Sequence, residues 1–141
     1  MKIKAARAVV WAAKIEDRPA GLAEKIEPLA AAGANLEMVL ARRAPEQPGK
    51  GVVFVCPLQG VRQCRAAVNH GFLRTNGLHS VRIEGADAPG LATQLTRALA
   101  KAGINLRGFS ATAVGRRFVA YLALDDEDDV TAALRAIKNL Q

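Results

Sequence analysis

Two stretches of this chain repeat each other at a constant offset of 70 residues. Asp17-Arg18-Pro19-Ala20-Gly21-Leu22 leads through an alanine-rich stretch to Gly33-Ala34-Asn35-Leu36. Asp87-Ala88-Pro89-Gly90-Leu91 leads through a second apolar stretch to Gly103-Ile104-Asn105-Leu106. Self-similarity at a fixed offset means one supersecondary unit used twice, and two copies fill most of the 141 residues. At about seventy residues a lone core is only marginally stable, so the halves are expected to share a sheet or pack together.

Within the first half, Val9, Trp11 and Ala13 alternate with Val10 and Ala12 as in a half-buried strand. A helix follows from near Pro19, striped by Leu22, Ile26 and Leu29, with Gly33 as its left-handed stop. Pro28 lies beyond the first turn, where proline removes a hydrogen bond and costs about 3 kcal/mol. The apolar pattern runs on to Ala32, which predicts a kink there and not an end. Residues 36–40 read as a strand, 45–49 as a hairpin loop and 51–55 as a buried β-branched strand. A short helix bearing Val61, Cys64 and Val68 spans 60–71, and a short strand at 72–75 precedes the turn signal Asn76-Gly77.

The second half repeats this order. A strand at 81–84 leads to a helix over 89–102 striped by Leu91, Leu95, Ala98, Leu99 and Ala102. A hairpin over 104–124 turns at Gly115-Arg116, and the acidic run 125–129 suits the start of a last helix carrying Val130, Leu134 and Ile137. No closing strand follows, and the N-terminal segment from Lys2 is expected to supply the missing edge. The β-α-β-β-α-β order predicts an α+β chain of two ferredoxin-like units, residues 1–77 and 78–141, each an antiparallel sheet with helices on one face.

Many functions use that fold, so function has to come from a site. In each repeat a strand ends, a tight loop turns, and a helix N-terminus presents free amides, a setting for a carboxylate or phosphate. Asn35 and Asn105 offer an amide that donates to a carboxylate and accepts from an ammonium, and Asp17 and Asp87 could pair with an ammonium. An α-amino acid would use all three groups. Each residue also has a purely structural reading. Aspartate before a helix is a common N-cap, which for Asp17 or Asp87 alone is the better explanation, and asparagine tolerates turn conformations.

Asp-x-Pro-(Gly/Ala), a helix, Gly-x-Asn and a hairpin together resemble the ACT domain, a small-molecule-sensing module. The likeness occurs twice, over about 5–73 and 79–139. It implies a ferredoxin-like fold, binding of a free amino acid or similar small carboxylate at interfaces between ACT units, and a regulatory, non-catalytic role with no cofactor or metal. It further implies pairing through sheet edges, as a homodimer or within the chain. By that likeness Asp17, Pro19, Ala20, Gly21 and Leu22 with Asn35 form one ligand site. Asp87, Pro89, Gly90 and Leu91 with Asn105 form the other. Ala20 departs from the glycine expected after the proline, which makes the second copy the better candidate. The chain also resembles stand-alone tandem ACT proteins, so its output is expected to lie in a target protein that the sequence does not name.

Charge and composition narrow the alternatives. Residues 1–78 carry 12 Lys/Arg against 6 Asp/Glu, whereas residues 79–141 carry 8 against 7. The basic residues come singly or in pairs, and one Trp and one Tyr offer little to stack on bases, which disfavours nucleic acid. No apolar run approaches a membrane span and no leader is evident, so a cytoplasmic protein is expected. Cys56 and Cys64 read as structural thiols. An interaction subunit without a ligand of its own is the alternative function, with Arg42-Arg43 and Arg116-Arg117 facing an acidic partner. A remote one is an enzyme: Gln59-Gly60-Val61-Arg62 resembles the phosphate loop of acylphosphatase-like proteins, but it follows the third strand and not the first.

Overall fold

The structure, a computed structural model, describes residues 2–74 and 77–140. The expected Asn76-Gly77 turn and the end of the 72–75 strand fall across residues outside that set. Along the first half, strands β1 (Ile3–Ala8) and β2 (Trp11–Glu16) precede helix α1 (Gly21–Ala31), strands β3 (Met38–Arg43) and β4 (Lys50–Cys56), and helix α2 (Gly60–Asn69). The second half comprises β5 (Ser80–Ala86), α3 (Leu91–Lys101), β6 (Gly108–Val114), β7 (Arg117–Ala123) and α4 (Glu127–Lys138). The chain is α+β, and it divides into two compact units, Val9–Leu78 and His79–Gln141 with Met1–Ala8 added.

In the unit of the second half the sheet runs β1-β5-β7-β6, antiparallel throughout. β1 stands where a ferredoxin-like unit places its closing strand: Ile3 pairs with Gly85 and Ala8 with Ser80. The N-terminal segment thus supplies the edge that the end of the second repeat lacks, so this unit reaches back before residue 78. Strand alternation turns Val81 and Ile83 of β5, and Phe118, Ala120 and Leu122 of β7, into the core. Leu91, Leu95 and Leu99 recur every fourth residue along α3 and are all buried, as are Val130, Ala133 and Ile137 of α4. Leu134, expected in the stripe, packs at its margin, and Ala133 takes the innermost place. The Asp126 carboxylate caps α4 by accepting from the Asp129 amide at 2.8 Å.

In the unit of the first half the sheet runs β2-β4-β3. Its fourth position is reduced to one bridge, in which Leu73 and Ala12 exchange backbone hydrogen bonds of 2.8 Å. Trp11, Ala13, Leu29, Val53, Val55, Ala67 and Phe72 form the core. α1 runs through Pro28, as the continuing apolar pattern required, and ends on Gly33, whose φ is +90°. The Ala34 amide reaches back to the Leu29 carbonyl, and Ile104 to Leu99 at the matching place, so both repeats stop their helix in the same way. α2 differs from expectation. Its buried residue is Ala67, while Val61 and Val68 face outward and Cys64 is only partly covered. Ala67 joins the core beneath α2, and Val61 and Val68 lie on its outer side.

Candidate functional site

Both loops are built by one set of backbone hydrogen bonds, whose donors recur at the offset of 70. The Asp17 amide donates to the Gly49 carbonyl at 3.0 Å and the Asp87 amide to the Arg116 carbonyl at 2.8 Å, tying each aspartate to the hairpin turn of its own sheet. Gly21 donates to Arg18 and Leu91 to Ala88; Glu24 donates to Ala20 and Gln94 to Gly90. The residue before each helix is left-handed, Ala20 at φ +68° and Gly90 at φ +79°.

This geometry excludes aspartate N-capping. The capping positions are Ala20 and Gly90, neither helix has a side-chain cap, and the aspartates sit three residues earlier. Among the described residues, the amides of Leu22 and Ala23, and of Ala92 and Thr93, have no backbone acceptor, so each helix keeps part of its positive end unfilled. Pro19 and Pro89 hold the exposed crest of each loop. Gly21 is fixed by space: a Cβ there would lie 2.1 Å from the Glu16 carbonyl oxygen, the end of the strand on which the loop turns.

The two aspartates differ in their surroundings. Asp17 receives the Nε of Arg43, from the last residue of β3, at 2.6 Å. Around it Arg18 pairs with Glu24 and Lys50 with Glu16, which holds the Glu16 carboxyl below the ordinary carboxylate range chiefly through the Lys50 hydrogen bond. Asp87 is exposed and has no side-chain hydrogen bond or ion pair among the described residues. Its neighbour Glu84 is held below the ordinary range first by the hydrogen bond from Arg82, with Arg117 also close at 3.3 Å. The two arginine pairs near the hairpins are thus partly engaged within the fold. Arg43 is on Asp17, Arg117 is on Glu84, and the Arg116 carbonyl anchors Asp87.

Asn35 and Asn105 are exposed just past the glycine that ends each helix. An 11-residue helix is about 16 Å long, so within one unit each asparagine is at the far end of α1 or α3 from its aspartate. One ligand reaching both would need two units. Two surface grooves, of about 550 Å³ and 610 Å³, flank α2 and do not involve the loops. At the mouth of α2, Arg62 spends its guanidinium on the Ala31 carbonyl at 3.1 Å and does not face the helix N-terminus. No group of three or more His, Cys, Asp and Glu suited to a metal exists among the described residues, and no helix there is long and apolar enough to cross a membrane. Sequence reasoning missed the Arg43–Asp17 pair and the anchoring of each aspartate to its hairpin, because both depend on partners about thirty residues away that no local pattern marks.

The family profile of the ACT domain matches residues 79–141. No curated protein matches the chain by sequence. Solved structures share its architecture at low identity. A protein from Bacteroides thetaiotaomicron aligns with a TM-score of 0.71 at 17% identity, over 93% of this chain and 88% of that one. The ligand-free regulatory subunit of aspartate kinase from Thermus thermophilus aligns with a TM-score of 0.66 at 15% identity, over 97% and 95%. The regulatory subunit of aspartate kinase from Thermus flavus gives 0.58 at 16%, over 99% and 96%. At these identities the likeness is one of fold, and it extends along nearly the whole chain. The ACT-domain profile thus covers the second half of the chain, residues 79–141, and the same strand and helix order is built once before it.

Proposed function

We propose that this protein is a regulatory sensor of a free amino acid or similar small carboxylate, without catalytic activity of its own. The observation that carries this reading is the second loop. Its helix amides lack acceptors, Asp87 is unpaired among the described residues, and Gly90 adopts its left-handed turn without a Cβ in the way. A ligand carboxylate is suited to the amides of α3 and a ligand ammonium to Asp87. Pro89 and Leu91 shape the loop around them, and Asn105 joins from a second, paired unit in a homodimer of the chain. The first loop, Asp17 to Leu22, has the same backbone, but Arg43 already neutralises its aspartate. The likeness to regulatory subunits of aspartate kinase supports a role exerted on a separate target protein.

Thermal melting against the twenty amino acids at millimolar concentration tests this. A ligand at a hundred times its dissociation constant stabilises by about 2.7 kcal/mol, a shift of several degrees. One or two amino acids are expected to raise Tm in the wild type and to fail with Asp87→Asn and Asn105→Ala. A response that both variants retain would place the site elsewhere, and a flat panel would leave the interaction subunit as the better reading.

A further inference from the structure

α2 buries only one side of itself. Val61 and Val68, seven residues apart and so on one line of the helix, are 71% and 58% exposed, and Leu73 just beyond is 65% exposed. Contiguous apolar side chains held out to water mark interaction sites more often than isolated ones do. Grooves run along both sides of this ridge and share Val61, Arg65 and Asn69. Trp11 and Phe72 lie in the first groove; Pro28, Ala31 and Ala32 lie in the second.

The charge around the ridge has one sign. Arg65 and Arg74 edge the first groove, Arg62 and Arg65 the second, and neither groove is lined by any Asp or Glu. α2 itself contains no acidic residue. The Arg74 guanidinium lies over the Trp11 ring, 5.7 Å from its centroid, while Arg65 has no hydrogen bond or ion pair among the described residues. Three occupants compete for such a surface. A second copy seated about a two-fold axis would set these arginines against themselves with no carboxylate between them. A nucleic acid would leave Val61, Val68 and Leu73 against a polyanion. An acidic segment with one apolar side satisfies both the valine ridge and the arginine rim.

We propose that the outer face of α2 is a docking surface for an acidic, amphipathic segment of a partner protein. The partner's apolar side chains seat against Val61, Val68 and Leu73, and its carboxylates meet Arg65 and Arg74. This surface is separate from the ligand loops and does not depend on them.

The test is a selection of random peptides of about 16 residues, displayed on phage, against the full chain. Enriched peptides are expected to be net negative, with apolar residues spaced three and four apart. Their affinity should fall at least about tenfold with Val61→Glu/Val68→Glu and with Arg65→Glu. A peptide in which lysines replace the acidic residues should bind Arg65→Glu better than the wild type. These side chains are exposed, so the variants should keep the wild-type circular dichroism and melting. The proposal fails if no peptide is enriched, if the enriched peptides lack acidic bias, or if their binding survives both variants. It also fails if Val61→Glu/Val68→Glu turns a sedimenting dimer into a monomer, which would assign the face to a second copy. Loss of DNA binding in Arg65→Glu without loss of peptide binding would assign it to nucleic acid.

Discussion

Ala20 and Gly90 do the same conformational work with different side chains. A left-handed backbone costs a residue with a Cβ about 1–2 kcal/mol, and Ala20 bears that cost at φ +68°. Placing the same methyl on the second loop by Gly90→Ala is therefore expected to destabilise the protein by about 1 kcal/mol, read as a lowered urea midpoint at unchanged slope. It should also weaken any ligand whose binding Asp87→Asn abolishes. Pro28 is the opposite case. Its nitrogen has no proton to give the preceding turn of α1, so Pro28→Ala should stabilise by up to about 3 kcal/mol in the same measurement. The residue pattern showed where these loops are, since Asp, Pro, Gly and Asn recur in register. It did not show what the aspartates do. Side-chain capping was the better guess for each aspartate alone, yet the structure makes Ala20 and Gly90 the capping positions and sends Asp17 to Arg43.

Among elements, the long amphipathic ones were the most legible. Leu91, Leu95 and Leu99 define the buried side of α3 from spacing alone, and the alternation in β2 places Trp11 and Ala13 inward. α2 was misread for a physical reason. Ranking its side chains by size chooses Val61 and Val68, whereas the residue that α2 turns into the core is Ala67. β1 was read only as an inference from what the second repeat lacked. It is held by its ladder to β5, by burial of Ile3 and by the ion pair of Arg7 with Glu127 on α4. Ile3→Ala should cost about 2–3 kcal/mol in chemical denaturation, through lost burial and the void left behind. Arg7→Ala should leave the denaturation midpoint close to that of the wild type, because an exposed ion pair gains little.

For the whole molecule, pH dependence follows from three depressed carboxyls. Glu84 is lowered by Arg82 first and then Arg117, Glu127 chiefly by the Arg7 hydrogen bond, and Glu16 chiefly by Lys50. A carboxyl lowered in the folded state adds stability that is present above its unfolded pKa, near 4.5, and is lost as pH falls through the lower folded value. Asp129 works the other way. Burial and its neighbours Asp126, Asp125 and Asp128 raise it, so its contribution improves on acidification. Tm is expected to be level between about pH 6 and 8 and to fall below about pH 4.5, with a shallower fall in Glu84→Gln. An unchanged acid slope in that variant would show that the Arg82 pair is not felt in stability.

The placement of β1 also has a consequence for how the chain is made. The segment of residues 3–8 leaves the ribosome ahead of β2 and all that follows it, yet its hydrogen-bonding partner is β5 and its covering helix is α4. The intervening 9–78 unit holds all of its own strands and can close while β1 waits. At about 5–20 residues per second that wait is on the order of 10 s, spent with a strand edge bare. Once β5 is out, β1 must still be recaptured across a loop of roughly seventy residues, a non-local pairing of the kind that slows folding. β1 is therefore made some seventy residues ahead of its partner and is among the last strands to be placed.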